Sequence, residues 1–160
     1  MTKRYTRNDG FSTRELLYYA WGHLASAKVL FERSFDCYDS AGHLSHLGIE
    51  LILKAFLLHY GRSFPNEHDL LKLLAEIKKS CPTLEIKVDH EKTLERINPF
   101  VSIRYPTPAK PIEIGNEDGN AIESLFVALQ SAMPSELRQE LQNRHHTLKD
   151  GRILMSKPKD

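Results

Sequence analysis

The sequence predicts an all-α protein in which several helices form one bundle. The stretch from Ser40 to Gly61 carries apolar residues around most of a helical circumference, so other helices must surround it. Stretches before and after it repeat apolar residues at intervals of three and four, which is the period of an amphipathic helix. With 160 residues and 41% hydrophobic content, the chain is long enough for one domain with a core and too short for two.

The first helix is expected to begin at a capping box formed by Ser12 and Glu15, in which each side chain bonds the other's backbone N–H group. It should continue to about Arg33, with Trp21 on the stripe that packs into the core. The short connection at 34–39 has a length that usually joins antiparallel neighbours, so this helix and the central one should form a hairpin.

Gly61 is expected to end the central helix as a C′ glycine, and Pro65 prevents its continuation. Residues 62–66 are predicted to form a loop. Asn66 is the expected cap of a third helix, and 83–88 is predicted to be an extended linker. The predicted helices are 13–33, 41–60, 67–79, 89–97 and 120–133, with 41–60 the most buried, and a further turn or two follows Pro134.

The segment from Asn98 to Asn120 carries four of the eight prolines, which predicts a long irregular loop before the last core helix. After Leu141 the apolar periodicity fades and basic residues predominate. The expected organisation is therefore a single helical domain over residues 1–142 and a flexible basic tail over residues 143–160.

The charges nearly cancel, with 22 Lys and Arg against 21 Asp and Glu, so binding to nucleic acid would need a local basic patch. Cys37 and Cys81 stand alone, which argues against a disulfide framework and against a cysteine-based zinc site. No uncharged apolar run is long enough to span a bilayer, and the first ten residues lack the apolar core of a secretory signal. A cytoplasmic protein without membrane contact is expected.

One polar stripe interrupts the apolar central helix, because the three-and-four spacing brings His43, His46, Glu50 and Lys54 onto one face. Glu50 four residues before Lys54 is the favourable order for a helical ion pair, and a buried pair needs further hydrogen bonds, which His68 or Asp69 could supply. This structural interpretation is the favoured one.

The alternative interpretation of the stripe is a metal site formed by His43, His46 and Glu50, completed by His68 or Asp69. The ammonium of Lys54 on the same face would repel a cation. We therefore expect neither a bound metal nor a cofactor.

Several features together resemble the HEPN family: the amphipathic first helix, Glu50 and Lys54 in I-E-L-I-L-K-A-F-L, Gly61, Pro65, His68-Asp69-Leu70 and Arg104-Tyr105-Pro106. The resemblance covers about residues 13–133. It implies an up-and-down bundle of four or five helices, often dimeric, associated with nucleotides or RNA and often encoded beside a minimal nucleotidyltransferase, as in toxin–antitoxin or defence systems. The implied ligand-binding residues are Glu50, Lys54, His68, Asp69, Arg104 and Tyr105.

The ribonucleases of that family carry an arginine followed after four to six residues by a histidine near the start of a late helix. Here Arg104 is followed by prolines and no histidine. Two other pairs fit the spacing, Arg62 with His68 and Arg138 with His145, but such pairs arise by chance in a chain with eight histidines.

Three functions remain open from the sequence. The favoured one is a non-catalytic HEPN-like module that binds a nucleotide, RNA or a partner nucleotidyltransferase, as a homodimer. The second is a metal-independent endoribonuclease toxin, in which a histidine would act as base and an arginine would stabilise the phosphorane charge. The third is a metal-dependent hydrolase on the His43, His46 and Glu50 face.

Overall fold

The computed structural model describes residues 2–33, 35–102, 112–142, 146–147 and 153–154. The predicted all-α bundle is confirmed. Its helices are α1 (Thr13–Arg33), α2 (Tyr38–Tyr60), α3 (Leu70–Ser80), α4 (Val88–Ile97), α5 (Asn116–Ala132) and α6 (Ser135–Gln142). Two antiparallel strand pairs accompany them, β1 (Arg4–Thr6) with β2 (Ser63–Pro65), and β3 (His146–Thr147) with β4 (Ile153–Leu154).

Helices α1 and α2 form the predicted antiparallel hairpin, and they approach each other closely at Gly48. A Cβ atom at that position would lie 2.6 Å from Leu24 Cγ and 3.0 Å from the Ala20 carbonyl oxygen, so only glycine permits this helix spacing. The Ser12 hydroxyl accepts a hydrogen bond from the backbone N–H of Glu15, as predicted, whereas the Glu15 carboxylate accepts from that hydroxyl rather than from the Ser12 N–H.

Helix α2 is the most buried element, as predicted, since 14 of its 23 residues are buried against seven of 21 in α1. It is long and apolar enough to cross a membrane, but most of it lies inside the bundle, which identifies it as a core helix. The row of Leu44, Leu47 and Leu51 was expected in the core and is only partly buried.

At the end of α2, the residue in the left-handed conformation is not the predicted one. Gly61 has a φ of −99°, whereas Arg62 has a φ of +60°. A Cβ atom on Gly61 would lie 3.1 Å from the Leu57 carbonyl oxygen, so the glycine is used for close approach and the arginine makes the turn.

Residues 62–66 were predicted to be a loop, but three of them form β2, which pairs with the N-terminal strand β1. The register places Arg4 opposite Pro65, Tyr5 opposite Phe64 and Thr6 opposite Ser63. We call this two-stranded pair the ribbon. Strand β2 carries the chain back along α2, so that α3 begins beside the middle of α2.

The cap of α3 also differs from the prediction. Asp69, not Asn66, is the N-cap, and its carboxylate accepts hydrogen bonds from the backbone N–H groups of Leu71 and Lys72. Asn66 instead donates its backbone N–H to the Lys3 carbonyl oxygen and extends the ribbon. Helix α3 therefore starts three residues later than expected.

The segment from Asn98 to Asn120 is more regular than predicted. Residues 98–102 form a 3-10 turn, and α5 begins at Asn116. Asp118 stabilises this early start, because its carboxylate accepts a hydrogen bond from the Gly115 N–H at 2.7 Å. The same carboxylate forms an ion pair with Arg96 of α4. The proline-rich part at 103–111 lies outside the described residues.

We expect Leu58→Ala to lower the free energy of unfolding by about 2–5 kcal/mol, because Leu58 is fully buried and its truncation adds a cavity to the lost transfer energy. Leu51→Ala should cost clearly less, because Leu51 is only partly buried. Urea unfolding of both variants measures the difference. Equal losses for the two would contradict the burial seen here.

Candidate functional site

The polar stripe of α2 faces the junction of α2, α3 and α4 and is buried. His46, Glu50 and Lys54 are 0%, 4% and 6% exposed, and His43 is partly buried. Charged side chains are rarely this buried unless partners compensate their charge. We call Glu50, Lys54, His46 and His68 the Glu50 cluster.

Glu50 is the centre of this cluster. Its Oε1 atom accepts hydrogen bonds from Lys54 Nζ at 2.6 Å and from His68 Nδ1 at 3.1 Å. The sequence therefore predicted the ion pair, and it named His68 as one of the two candidates for the additional hydrogen bond. The Lys54 ammonium also lies 5.6 Å from the centre of the Phe64 ring in β2, a cation–π contact.

The other side of Glu50 faces His46. His46 Nδ1 donates to the Ile97 carbonyl oxygen at 3.1 Å, which leaves Nε2 directed at Glu50 Oε2 across 3.4 Å. Within the described residues, these two atoms are the buried side-chain nitrogen and oxygen atoms without a hydrogen bond. The two atoms face each other inside the bundle at a distance where no hydrogen bond joins them.

The environment sets the charge of Glu50. Burial alone would raise the pKa of its carboxyl group, but the His46 imidazole and the Lys54 ammonium beside it outweigh burial and lower the pKa. Glu50 is therefore a carboxylate at neutral pH, and the positive charge of Lys54 is compensated.

His68 is the member of the cluster that reaches the surface, with 54% of its side chain exposed. Because its Nδ1 donates to the Glu50 carboxylate, its Nε2 is presented to solvent in a fixed orientation. Asp69 does not join the cluster, since its carboxylate caps α3 together with Asn98, whose Oδ1 accepts the Leu70 N–H.

Comparison with protein-family models gives one match, to the HEPN domain, over residues 13–131. The chain belongs to the HEPN domain family. The match extends from α1 into α5 and includes all four residues of the Glu50 cluster. Neither the curated proteins nor the solved structures compared with the chain gave a match.

The arginine and histidine pairs that could act as in HEPN ribonucleases are not assembled by the described residues. Arg62 precedes β2 and His68 follows it, and among the described residues no hydrogen bond or ion pair joins the two side chains. Arg138 donates to the Ser131 and Met133 carbonyl oxygens, where it holds the turn between α5 and α6. His145, like Arg104 and Tyr105, lies outside the described residues.

The metal alternative is not supported by the orientation of the two α2 histidines. His43 Nδ1 lies 3.2 Å from the Phe100 carbonyl oxygen and His46 Nδ1 bonds that of Ile97, so both rings fix the end of α4 and the turn after it. In the described part of this HEPN chain, no three His, Cys, Asp or Glu side chains are grouped as metal ligands.

A second concave region was not predicted. A cavity of about 380 Å³ opens between α1 and α5 and is lined mainly by apolar side chains, with an ion pair of Lys28 and Glu123 at its edge. Trp21, expected as a core anchor, packs against the core and lines this cavity while remaining partly exposed. The sequence placed these residues on amphipathic faces but gave no signal that the two helices would diverge.

We expect Glu50→Gln to lower the free energy of unfolding by about 3–5 kcal/mol, because it leaves the buried Lys54 ammonium without its counter-charge. The double variant Glu50→Gln, Lys54→Met removes both charges and should recover most of that loss. Urea unfolding at pH 7 measures both. A double variant as unstable as the single one would contradict the ion-pair interpretation.

The stability supplied by Glu50 should depend on pH in one direction. Since folding lowers the pKa of Glu50 below its ordinary value of 4.5, this contribution is complete above that value and is lost as the pH falls through the lowered pKa. The difference between wild type and Glu50→Gln should therefore shrink in unfolding experiments at acid pH. A difference that is constant from pH 7 down to pH 3 would exclude this linkage.

Proposed function

We propose that this chain is a non-catalytic HEPN module that binds a nucleotide or RNA, or a partner nucleotidyltransferase, in the cytoplasm. The observation that carries the proposal is the orientation of His68 by the buried Glu50 carboxylate. It presents a pre-oriented imidazole at the surface, where Nε2 can contact a ligand at little entropic cost. Glu50 and Lys54 are buried and do not contact the ligand in this proposal, and they position the His68 imidazole.

Arg104 and Tyr105, which the family resemblance assigns to the binding site, belong to the same proposal. They follow Phe100, whose backbone carbonyl contacts His43 on α2. A minimal nucleotidyltransferase or an antitoxin encoded beside this gene would support the partner form of the proposal.

One observation favours the second candidate, a metal-independent ribonuclease. A carboxylate that holds Nδ1 of an exposed imidazole is also the arrangement of a general base. Cleavage additionally needs a cation within reach of the same phosphate, and β2 separates His68 from Arg62 in one chain. Binding without cleavage is therefore the function that we prefer.

We expect the purified chain to bind ATP and to leave RNA intact. His68→Ala should weaken nucleotide binding at least tenfold in calorimetric titration, because it removes the pre-oriented contact. His90→Ala is the matched control, since His90 lies on α4, where its Nε2 contacts Ser124. RNA cleavage that His68→Ala abolishes would instead establish the ribonuclease, and unchanged ATP binding by His68→Ala would refute the assignment of His68.

The homodimer expected from the family resemblance is part of this proposal. Leu44, Leu47 and Leu51 form a partly exposed apolar row on α2. Burial of this surface against a second copy would remove the apolar area from water. A two-fold contact would use the same row on both chains.

We expect light scattering to give a dimer at micromolar concentration and Leu47→Glu to give a monomer. A charge on this row would be buried in the dimer but would remain hydrated in the monomer. Val88→Glu is the control, because Val88 is 66% exposed at the start of α4. A monomeric wild-type chain, or a Leu47→Glu chain that still dimerises, would show that this row is not a dimer contact.

A further inference from the structure

Two arginines without partners lie at one end of the ribbon. The last pair of its register is Thr6 with Ser63. Arg7, the first residue of a 3-10 turn, follows Thr6 in the chain, and Arg62 precedes Ser63. Both side chains are exposed, and in the described part of the chain neither has a hydrogen bond or an ion pair. Like charges that lie close together without a counter-charge repel each other, so this arrangement does not serve the fold.

Arg62 also adopts a strained backbone conformation. With a φ of +60°, it is the one residue other than glycine with positive φ among those that the structure describes. Such a conformation favours glycine, and a large side chain there costs stability. Two unfavourable features therefore coincide, and sites of this kind are usually retained for binding.

The acidic groups around the ribbon are already engaged. The Asp9 carboxylate accepts hydrogen bonds from the Thr6 N–H and hydroxyl groups at 2.8 Å, and Glu76 is paired with Arg4 at 2.6 Å. The hydrogen bonds from Thr6 lower the pKa of Asp9, and the positive charge of Lys3 nearby adds to this effect. Lys3 itself lies over the Tyr5 ring, with its ammonium 4.8 Å from the ring centre.

The first strand and the turns beside it therefore form the local basic patch that the balanced composition of the whole chain does not reveal. Residues 2–14 contain four basic side chains and one acidic side chain, whereas the entire chain has a formal charge of +1. Arg62 adds a fifth basic group from the end of β2.

We infer that Arg7 and Arg62, with Lys3, bind the phosphodiester backbone of a nucleic acid strand. Guanidinium groups pair with phosphate oxygens through two parallel hydrogen bonds, and adjacent arginines fit adjacent phosphates. Because the patch is exposed, each single contact is screened by salt, and only a polymer that repeats its charge gains useful affinity there. Contacts to phosphate do not read bases or sugars, so RNA and DNA should bind alike.

This inference goes beyond the proposed function, because it requires neither His68 nor a dimer. The test is fluorescence anisotropy with labelled 12-nucleotide RNA and DNA strands of one sequence, measured from 50 to 200 mM salt. Arg7→Gln and Arg62→Gly should each weaken binding about threefold to tenfold at the lowest salt. Each should reduce the slope of log affinity against log salt by about 0.7, and the double variant should reduce it by about 1.4.

The control Lys87→Gln removes one positive charge from the N-cap of α4 and should change neither the affinity nor the slope. Arg62→Gly should keep or raise the melting temperature, because glycine removes the backbone strain. A loss of binding combined with undiminished stability would therefore identify Arg62 as a binding residue. Arg62→Gly should retain ATP binding, so failure at the ribbon is distinguishable from failure at His68.

Three results would overturn the inference. The double variant could bind the strands with wild-type affinity and slope, or the RNA strand could bind more than tenfold better than the DNA strand. Inorganic tripolyphosphate could also displace the labelled oligonucleotide completely when the two are present at equal phosphate concentration. The last result would assign the arginines to a compact phosphate ligand instead of a polymer backbone.

Discussion

The ion pair of Glu50 and Lys54, buried in the middle of α2, is the constraint on which the arrangement of the neighbouring helices depends. Its carboxylate requires more than one donor, and besides Lys54 on α2 itself the second donor, His68, comes from the segment before α3. His68 attaches the start of α3 to this carboxylate, and His46, whose Nε2 lies 3.4 Å from Glu50 Oε2, donates through Nδ1 to the Ile97 carbonyl oxygen at the end of α4. A change in the position of α3 would remove a hydrogen bond from a buried charge, and a change in the position of α4 would leave a buried imidazole without its acceptor.

Such a pair is not an efficient source of stability, since apolar residues of similar volume often stabilise a core more. Its value here is in specificity. The apolar surface of α2 would accept α3 in several rotational positions, because hydrophobic contact is not directional. The hydrogen bond from His68 to Glu50 forms in only one of these rotational positions. It also fixes the imidazole that we propose as the ligand contact.

The sequence predicted those features that depend on residues close together in the chain. Helix periods, the hairpin of α1 and α2, and the pairing of Glu50 with Lys54 follow from spacings of three and four residues. His68 was one of two candidates beside Glu50 because it precedes an amphipathic stretch that must pack on α2. Asn66 was mistaken for the cap because several polar residues precede α3, and the choice among them depends on where the chain leaves β2.

The ribbon was not predictable in the same way, because β1 and β2 are separated in sequence by two long helices. Three-residue strands carry almost no periodic signal. The left-handed turn was assigned to Gly61 because glycine is the usual residue there, and the structure uses that glycine for a close contact with the Leu57 carbonyl oxygen. Gly61 thus completes the last hydrogen-bonded turn of α2, and the left-handed conformation passes to the next residue, Arg62.

Strand β2 also explains why the histidine and the arginine of this HEPN chain serve different ligands in our account. Lys54 contacts Glu50 on one side and the Phe64 ring on the other, so β2 is fixed against the Glu50 cluster along its length. Phe64 in turn packs on Tyr5 and Phe11, which hold β1 beside it. Arg62 precedes this packed strand and His68 follows it, so in our account each group serves its own ligand.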